Sequence, residues 1–279
     1  MPLVPTRDIV ERAVAAGHGV PAFNVVQLES AEAIVAGAED AGLPIVAQIS
    51  ENCAKYHGSL APLAAAVRVL AESSEARIAL HLDHAENPAL VREALGLGFG
   101  SVMVDASRLP DDENRALTAQ LASEAHAHGV YVEAELGEVG GKDGAHAPGV
   151  RTDPGEAARF VADTGVDALA VAVGSSHAMT SRTAKLDLDL IARLRGAVPV
   201  PLVLHGSSGV GGDHLREAIA AGMVKINVST HLNKAFTAPV REALSDPKLV
   251  DPRKYLGPGR EAMRVEIARL ATLITNGNR

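Results

Sequence analysis

Short, almost uninterrupted apolar runs alternate along this chain with longer stretches of helical periodicity. VPAFNV (20–25) precedes LESAEAIVAGAEDAG (28–42), and PIVAQIS (44–50) precedes PLAAAVRVLAESS (62–74). RIALHLD (77–83), SVMVDAS (101–107) and VYVEAEL (130–136) lead in turn to NPALVREALGLG (87–98), LPDDENRALTAQLASEAHAHG (109–129) and DPGEAARFVADTG (153–165). VDALAVAV (166–173), VPLVLHG (200–206) and MVKINVS (223–229) continue the pattern, each followed by a further helical segment. These eight runs are too uniformly apolar to have one wet face, which is the mark of parallel strands covered by helices.

Eight strand and helix units predict a closed (β/α)8 TIM barrel, an α/β fold of about 250 residues, so one domain spanning 1–279 is expected. An open doubly wound sheet is the competing architecture. The tail DPRKYLGPGREAMRVEIARLATLI (251–274) adds a C-terminal helix outside the barrel. Helix ends agree: Asn87-Pro88 and Asp153-Pro154 place a capping side chain before a first-turn proline, and Gly42, Gly129, Gly165 and Gly222 follow helical runs. One connection is unlike the rest. GEVGGKDGAHAPGVRT (137–152) is long, polar and rich in glycine, and reads as an active-site flap or as an ordinary surface loop.

Composition narrows the class without changing the fold. The chain is 47% hydrophobic and 22% charged, and its net charge of -8 comes from interleaved acidic and basic residues. No basic stripe proposes a nucleic-acid partner, and no apolar run approaches the roughly 18 residues of a membrane span. Cys53 is the single cysteine, which excludes an internal disulfide and, with no signal-like start, gives a cytoplasmic enzyme as the expectation.

The candidate chemistry lies where the apolar runs end. His84, His177 and His205 each close such a run, in RIALHLDH, DALAVAVGSSH and PLVLHG. Strand ends are where a barrel carries its active site, and three neutral imidazoles with an open fourth position make a common catalytic zinc site. Of the other histidines, His126, His128, His214 and His231 fall on helical segments, His18 and His57 in connections, and His81 is placed to brace the site.

HLDHAEN (81–87), VEAELGEVGG (132–141), PLVLHGSSG (201–209), KINVST (225–230) and DPRKYLGPGREAM (251–263) together resemble the class II, metal-dependent ketose-bisphosphate aldolases, nearly end to end. The resemblance implies a lyase of carbohydrate metabolism that cleaves fructose or tagatose 1,6-bisphosphate to dihydroxyacetone phosphate and glyceraldehyde 3-phosphate. It implies one Zn2+ on His84, His177 and His205, with Asp83 as the proton-transferring acid. Glu135 and Asp105 are implied to hold an alternate or second metal, or else to orient an imidazole. A monovalent cation is a further expectation. Gly206, Ser207, Ser208, Asn227, Val228, Ser229 and Thr230 are implied to gather around the phosphate of the dihydroxyacetone half, where barrels often bind one. Arg253 is implied to reach the distal phosphate, from a neighbouring subunit in some members, and Asn24 and Ser50 to touch the substrate or its flap. A homodimer or homotetramer follows from the resemblance alone.

Two positions depart from the family. Asp143 stands where a glutamate usually removes the carbon-bound proton, with Glu138 as the alternative base, and Ala178 stands where glycine usually follows the second ligand. They bear on the sugar more than on the reaction, so a tagatose-like or another ketose phosphate enters. Three rival classes stay open: a metal-dependent hydrolase on the same barrel, an imine-forming aldolase using Lys225, and a sugar-phosphate-binding protein without turnover.

Overall fold

The computed structural model describes residues 3–136, 151–177 and 179–276. Eight parallel strands close into a barrel in sequence order: β1 (Val20–Asn24), β2 (Ile45–Ser50), β3 (Ile78–Ala85), β4 (Ser101–Val104), β5 (Tyr131–Leu136), β6 (Ala168–Val171), β7 (Leu202–Leu204) and β8 (Met223–Val228), with β8 pairing back onto β1. The open doubly wound alternative is excluded. Around the barrel run α1 (Thr6–Ala16), α2 (Leu28–Ala41), α3 (Glu51–His57), α4 (Ala61–Ser73), α5 (Pro88–Gly96), α6 (Asp111–Ala127), α7 (Pro154–Thr164), α8 (Leu188–Ala197), α9 (Gly212–Ala221), α10 (Thr230–Ala243) and the C-terminal α11 (Pro252–Thr275). Among the described residues no helix is long and apolar enough to cross a membrane.

Alternate strand residues sort into two apolar clusters. Phe23, Ile49, Leu80, Leu82, Val102, Val132, Leu169 and Leu204 belong to the large cluster shared with the surrounding helices. Val20, Ala22, Val46, Ala79, Met103, Tyr131, Ala170 and Val203 form a second cluster with Ile9, Val10 and Ala13 of α1, so α1 closes one end of the barrel. Further along the strands the inward positions turn polar: Gln48, His81, Asp83, Glu133, His205, Lys225 and Asn227 are all buried. The barrel is therefore greasy at its base and ionic toward its rim.

Two helices fall outside the predicted alternation. α1 precedes the first strand and has no strand to announce it, although its buried face of Thr6, Ile9, Val10 and Ala13 has helical spacing. α3 is short and mostly polar, and Ser50 starts it by accepting a hydrogen bond from the Cys53 amide at 3.2 Å. β6 stops at Val171, so His177 lies in the connection beyond the strand and not at its end. His57 ends α3, where a connection was expected.

The C-terminal helix is fastened by close packing. Met263, Ile267, Leu270, Ala271 and Ile274 are buried, and α11 lies against α2 and α10. At the α2 crossing a Cβ on Gly37 would sit 2.6 Å from Ile267 Cγ2 and 2.8 Å from the Arg264 carbonyl. Gly to Ala inside a helix ordinarily stabilises by roughly 1 kcal/mol. Here the sign reverses, because backbone cannot yield as a flexible side chain does: Gly37→Ala is expected to lower stability by about 1–3 kcal/mol, read as a lower urea midpoint with an unchanged slope.

Candidate active site

A cavity of about 250 Å³ opens at the rim where the strands end. Its wall includes Asn24, Gln48 and Ser50 from β1 and β2, Asp83 and His84 from β3, His177, and His205 just past β7. The strand end that carries His84 is distorted. Pairing between β3 and β4 slips between Leu82 and Ala85, and His84 has φ 49°, unique among described residues other than glycine. Left-handed backbone costs a non-glycine residue roughly 1–2 kcal/mol, and such strain gathers where a side chain must be aimed.

The three predicted histidines converge. Ring centroids lie 4.5 Å apart for His84 and His205, 5.1 Å for His84 and His177, and 5.6 Å for His177 and His205. One ring nitrogen from each falls in a set whose members are all within 4.8 Å of one another. Carboxylates fix two of the rings from behind: Asp105 Oδ2 is 2.7 Å from His84 Nδ1, and Glu133 Oε1 is 2.9 Å from His205 Nε2. A carboxylate accepts, so each of those ring nitrogens carries the hydrogen; at His205 this shorter, charged contact prevails over the Asn227 Nδ2 group 3.1 Å from the same Nε2. His84 Nε2 and His205 Nδ1 are thereby the ring atoms without hydrogens, and they face each other at 2.8 Å. Two lone pairs at that distance repel unless a cation sits between them. Three imidazole donors with carboxylate backing are the donor set of a divalent transition metal, so the residues present fit a metal ion.

Asp83 sits beside this cluster, 3% exposed. Asn24 Nδ2 donates to its Oδ2 at 2.9 Å and Asn227 Nδ2 to its Oδ1 at 3.4 Å, while Gln48 Nε2 donates to Asn24 Oδ1 at 2.8 Å. Burial alone would raise this carboxyl. The surrounding His84, His205, Lys225 and His81 overcome burial and hold it at about 2. Lys225 Nζ lies 2.7 Å from Glu133 Oε2, and Glu133 is kept low against its own burial chiefly by Lys225 and by the His205 hydrogen bond. Burial and Lys225 push His81 down to about 3, so it stays neutral, with Nδ1 2.7 Å from Ser101 Oγ.

Not every predicted residue reaches the cavity. Asn24, Ser50, Asp83, His84, His177, His205, Gly206, Ser208, Asn227, Ser229 and Thr230 line it. Ser207 and Val228 are buried behind it, with the Ser207 hydroxyl donating to the Asn227 carbonyl. Gly206 has φ 67°, and a Cβ there would lie 2.6 Å from the Ser176 carbonyl, so the turn after His205 accepts glycine alone. Arg253 opens α11 with its side chain 90% exposed and bonded to Asp251, outside the cavity of its own chain. Asp105 holds His84, and Glu135 Oε2 is 4.0 Å from the same ring nitrogen, so both expected roles for this pair have a geometric basis: His84, Asp105 and Glu135 form a second set of donors within 4.8 Å. Asp143, Glu138 and Ala178, with the flap segment 137–150, lie outside the described residues.

The sequence reading missed Glu133, Gln48 and Asn52; for Lys225 it offered a packed or ion-paired strand lysine beside an imine former, and the ion pair is what the structure has. A signal was present. Gln48 and Ser50, His81 and Asp83, Glu133 and Glu135, and Lys225 and Asn227 are polar pairs two residues apart inside apolar strands, hence on one face.

Comparison with known proteins decides the family, because the model described as fructose-bisphosphate aldolase class-II matches residues 4–279. The chain belongs to the class-II fructose-bisphosphate aldolases. It is 40% identical over 272 residues to a fructose-bisphosphate aldolase of Geobacillus stearothermophilus, spanning 96% of this chain and 95% of that one. Identity to the fructose-bisphosphate aldolase of Thermus caldophilus is 40% over 290 residues, spanning 94% of each. The crystal structure of the YdjI aldolase from Escherichia coli K12 superposes with a TM-score of 0.86 at 30% identity, covering 99% of this chain and 98% of that one. As a class-II aldolase the chain is a lyase of a metal-dependent family.

In this aldolase His84→Ala removes one of three imidazoles and leaves Asp105 to its Ser107 contact. Loss of a mere supporting partner weakens metal binding about 10–100-fold, so loss of a ligand is expected to exceed 100-fold. Metal analysis after gel filtration should then find the variant stripped and the wild type loaded.

Proposed function

We propose that this chain cleaves a ketose 1,6-bisphosphate of fructose or tagatose type reversibly into dihydroxyacetone phosphate and glyceraldehyde 3-phosphate, with one Zn2+ on His84, His177 and His205. The observation that carries this reading is the convergence of ring nitrogens from His84, His177 and His205 within 4.8 Å of one another, in a cavity that also holds Asp83. A zinc ion bound there would supply the Lewis acidity that stabilises negative charge developing on the ketone half of the sugar.

The chain's own residues do the rest. When the bond between C3 and C4 breaks, its electron pair goes to C3 and the C4 hydroxyl loses its proton to Asp83. Asn24 and Asn227 each donate to one Asp83 oxygen and keep the carboxylate turned toward the cavity. C3 is then protonated by Asp143, or by Glu138, the candidates that the sequence offers. The phosphate of this half fits between Gly206 and Ser208 on one side and the start of α10 on the other, where Ser229 and Thr230 line the cavity and helix amides favour an anion. Arg253 is 90% exposed, bonded to Asp251 and absent from the lining of its own cavity, so we assign it to the distal phosphate of a neighbouring copy in a homo-oligomer.

An imine mechanism has poor support. Lys225 is 2% exposed and tied to Glu133, whereas an imine former needs a free amine in reach of a carbonyl. Chelator-treated protein is therefore expected to lose turnover and regain it with Zn2+, and borohydride added with substrate should trap no covalent adduct. Turnover that survives demetallation refutes the metal reading. Assays on fructose and tagatose bisphosphates side by side identify the sugar.

Asp83→Asn cannot take a proton, and its single amide oxygen keeps only one of the two contacts that Asn24 and Asn227 donate. Removing such a group costs typically about 10²–10⁴-fold, and that loss is expected in cleavage kcat. Exchange of the C3 proton of dihydroxyacetone phosphate with solvent should persist, because Asp83 acts at the other half of the sugar. Loss of both activities would place Asp83 elsewhere in the mechanism.

A further inference from the structure

Lys225 is a buried cation that no step of the proposed reaction employs. Its ammonium lies 2.7 Å from Glu133 Oε2 and 3.4 Å from His81 Nε2, and Glu133 turns its second oxygen to His205 Nε2 at 2.9 Å. An ammonium has donors only. It therefore claims one oxygen of residue 133 and leaves the other end of that side chain to meet His205. On its second side it faces His81 Nε2 as a donor, so His81 carries its hydrogen on Nδ1, toward Ser101 Oγ at 2.7 Å, and Ser101 in turn lies 2.6 Å from Thr6 Oγ1 on α1. One ammonium thus sets the direction of hydrogen bonding both toward the rim and down to the helix that closes the base.

We propose that Lys225 is a positioning residue of the metal centre: by claiming Glu133 Oε2 it turns Glu133 Oε1, which can only accept, onto His205 Nε2 at 2.9 Å, and this shorter, charged contact prevails over the Asn227 Nδ2 group 3.1 Å from the same nitrogen and confines the imidazole to the tautomer whose Nδ1 lone pair faces the cation site. The inference rests on the assignment of His84, His177 and His205 as metal ligands. It also makes a prediction with an unusual sign. In Glu133→Gln, Lys225 still claims the side-chain oxygen, so the new NH2 group meets His205 Nε2. Two donors cannot pair, and His205 moves its hydrogen to Nδ1, the atom that should bind metal. Removing Lys225 as well frees the glutamine to rotate and to accept again.

Zinc affinity, measured by competition with a chromophoric chelator, is expected to fall at least about 100-fold in Glu133→Gln, at or beyond the upper end of effects from a ligand's supporting partner. It should recover about 10-fold or more in Lys225→Met/Glu133→Gln, although that variant lacks two native groups. Nitrogen-15 spectra of the histidine rings in metal-free protein separate orientation from simple charge repulsion: His205 should be Nε2–H in the wild type and Nδ1–H in Glu133→Gln. The proposal is overturned if Glu133→Gln binds zinc within about threefold of the wild type, if the double variant binds no better than the single one, or if His205 keeps its hydrogen on Nε2 in Glu133→Gln. The wild-type spectrum needs no variant to fold, and Nδ1–H there overturns it too. A wild type that binds no zinc at all instead sinks the metal-site assignment.

Discussion

Two imidazole lone pairs held face to face are the constraint around which the active end of this barrel is arranged. Neither ring can relieve the repulsion by turning, because Asp105 holds the far side of His84 and Glu133 the far side of His205. Those carboxylates are themselves anchored, Asp105 by the Ser107 hydroxyl at 2.7 Å and Glu133 by Lys225. The backbone contributes as well, since the left-handed turn at His84 persists only because the surrounding strands over-determine it. Repulsion built into the protein in this way becomes attraction for a cation, which is why affinity at such sites depends on residues that never touch the ion.

Burying so many charges is costly unless each meets a partner, and the barrel supplies partners in layers. At the base α1 seals an apolar plug of Ile9, Val10, Met103 and Tyr131, which excludes water from below. Above it Glu133 and Lys225 neutralise each other at 2.7 Å, and His81 stays neutral between that pair and Ser101. A buried ion pair of this kind is weak evidence for stability, because well-packed apolar residues often do as well or better. Its retention makes sense as orientation: the pair aims a ligand that apolar residues could not aim.

Much of this was legible in the sequence for a physical reason. Parallel strands covered by helices must be apolar on their outer face and, near the barrel base, on the inner one too, so VPAFNV, RIALHLD and MVKINVS declare themselves as strands. His84 and His205 stood out because each ends such a run. His177 stood out for the same reason, yet it belongs to the connection after β6, where composition sets no boundary between strand and loop. α1 escaped because its apolar face reports only that something covers it, and not that the cover is the inside of a barrel. Glu133 escaped because, of the two glutamates in VYVEAEL, its role shows only once its partner on β8 is known. That partner, Lys225, is 92 residues away in sequence, and only barrel closure brings the two into contact.

The fixed posture of Asp83 carries the same logic from metal to substrate. Each carboxylate oxygen has two acceptor sites, and one on each is taken by an amide, from Asn24 on β1 and from Asn227 on β8. The site that remains for a sugar hydroxyl is consequently set by β1 and β8, which pair with each other in the barrel, and not by Asp83 itself. In the proposed reaction a substrate held at its phosphate near Ser208 and Thr230 and at its carbonyl near the three histidines would have little freedom left at C4. The two epimers at that carbon present their hydroxyls in different directions, so under the proposed function discrimination between them would fall to the amide pair that orients the carboxylate. Gln48, which holds Asn24 in its turn, extends that control one residue further from the chemistry.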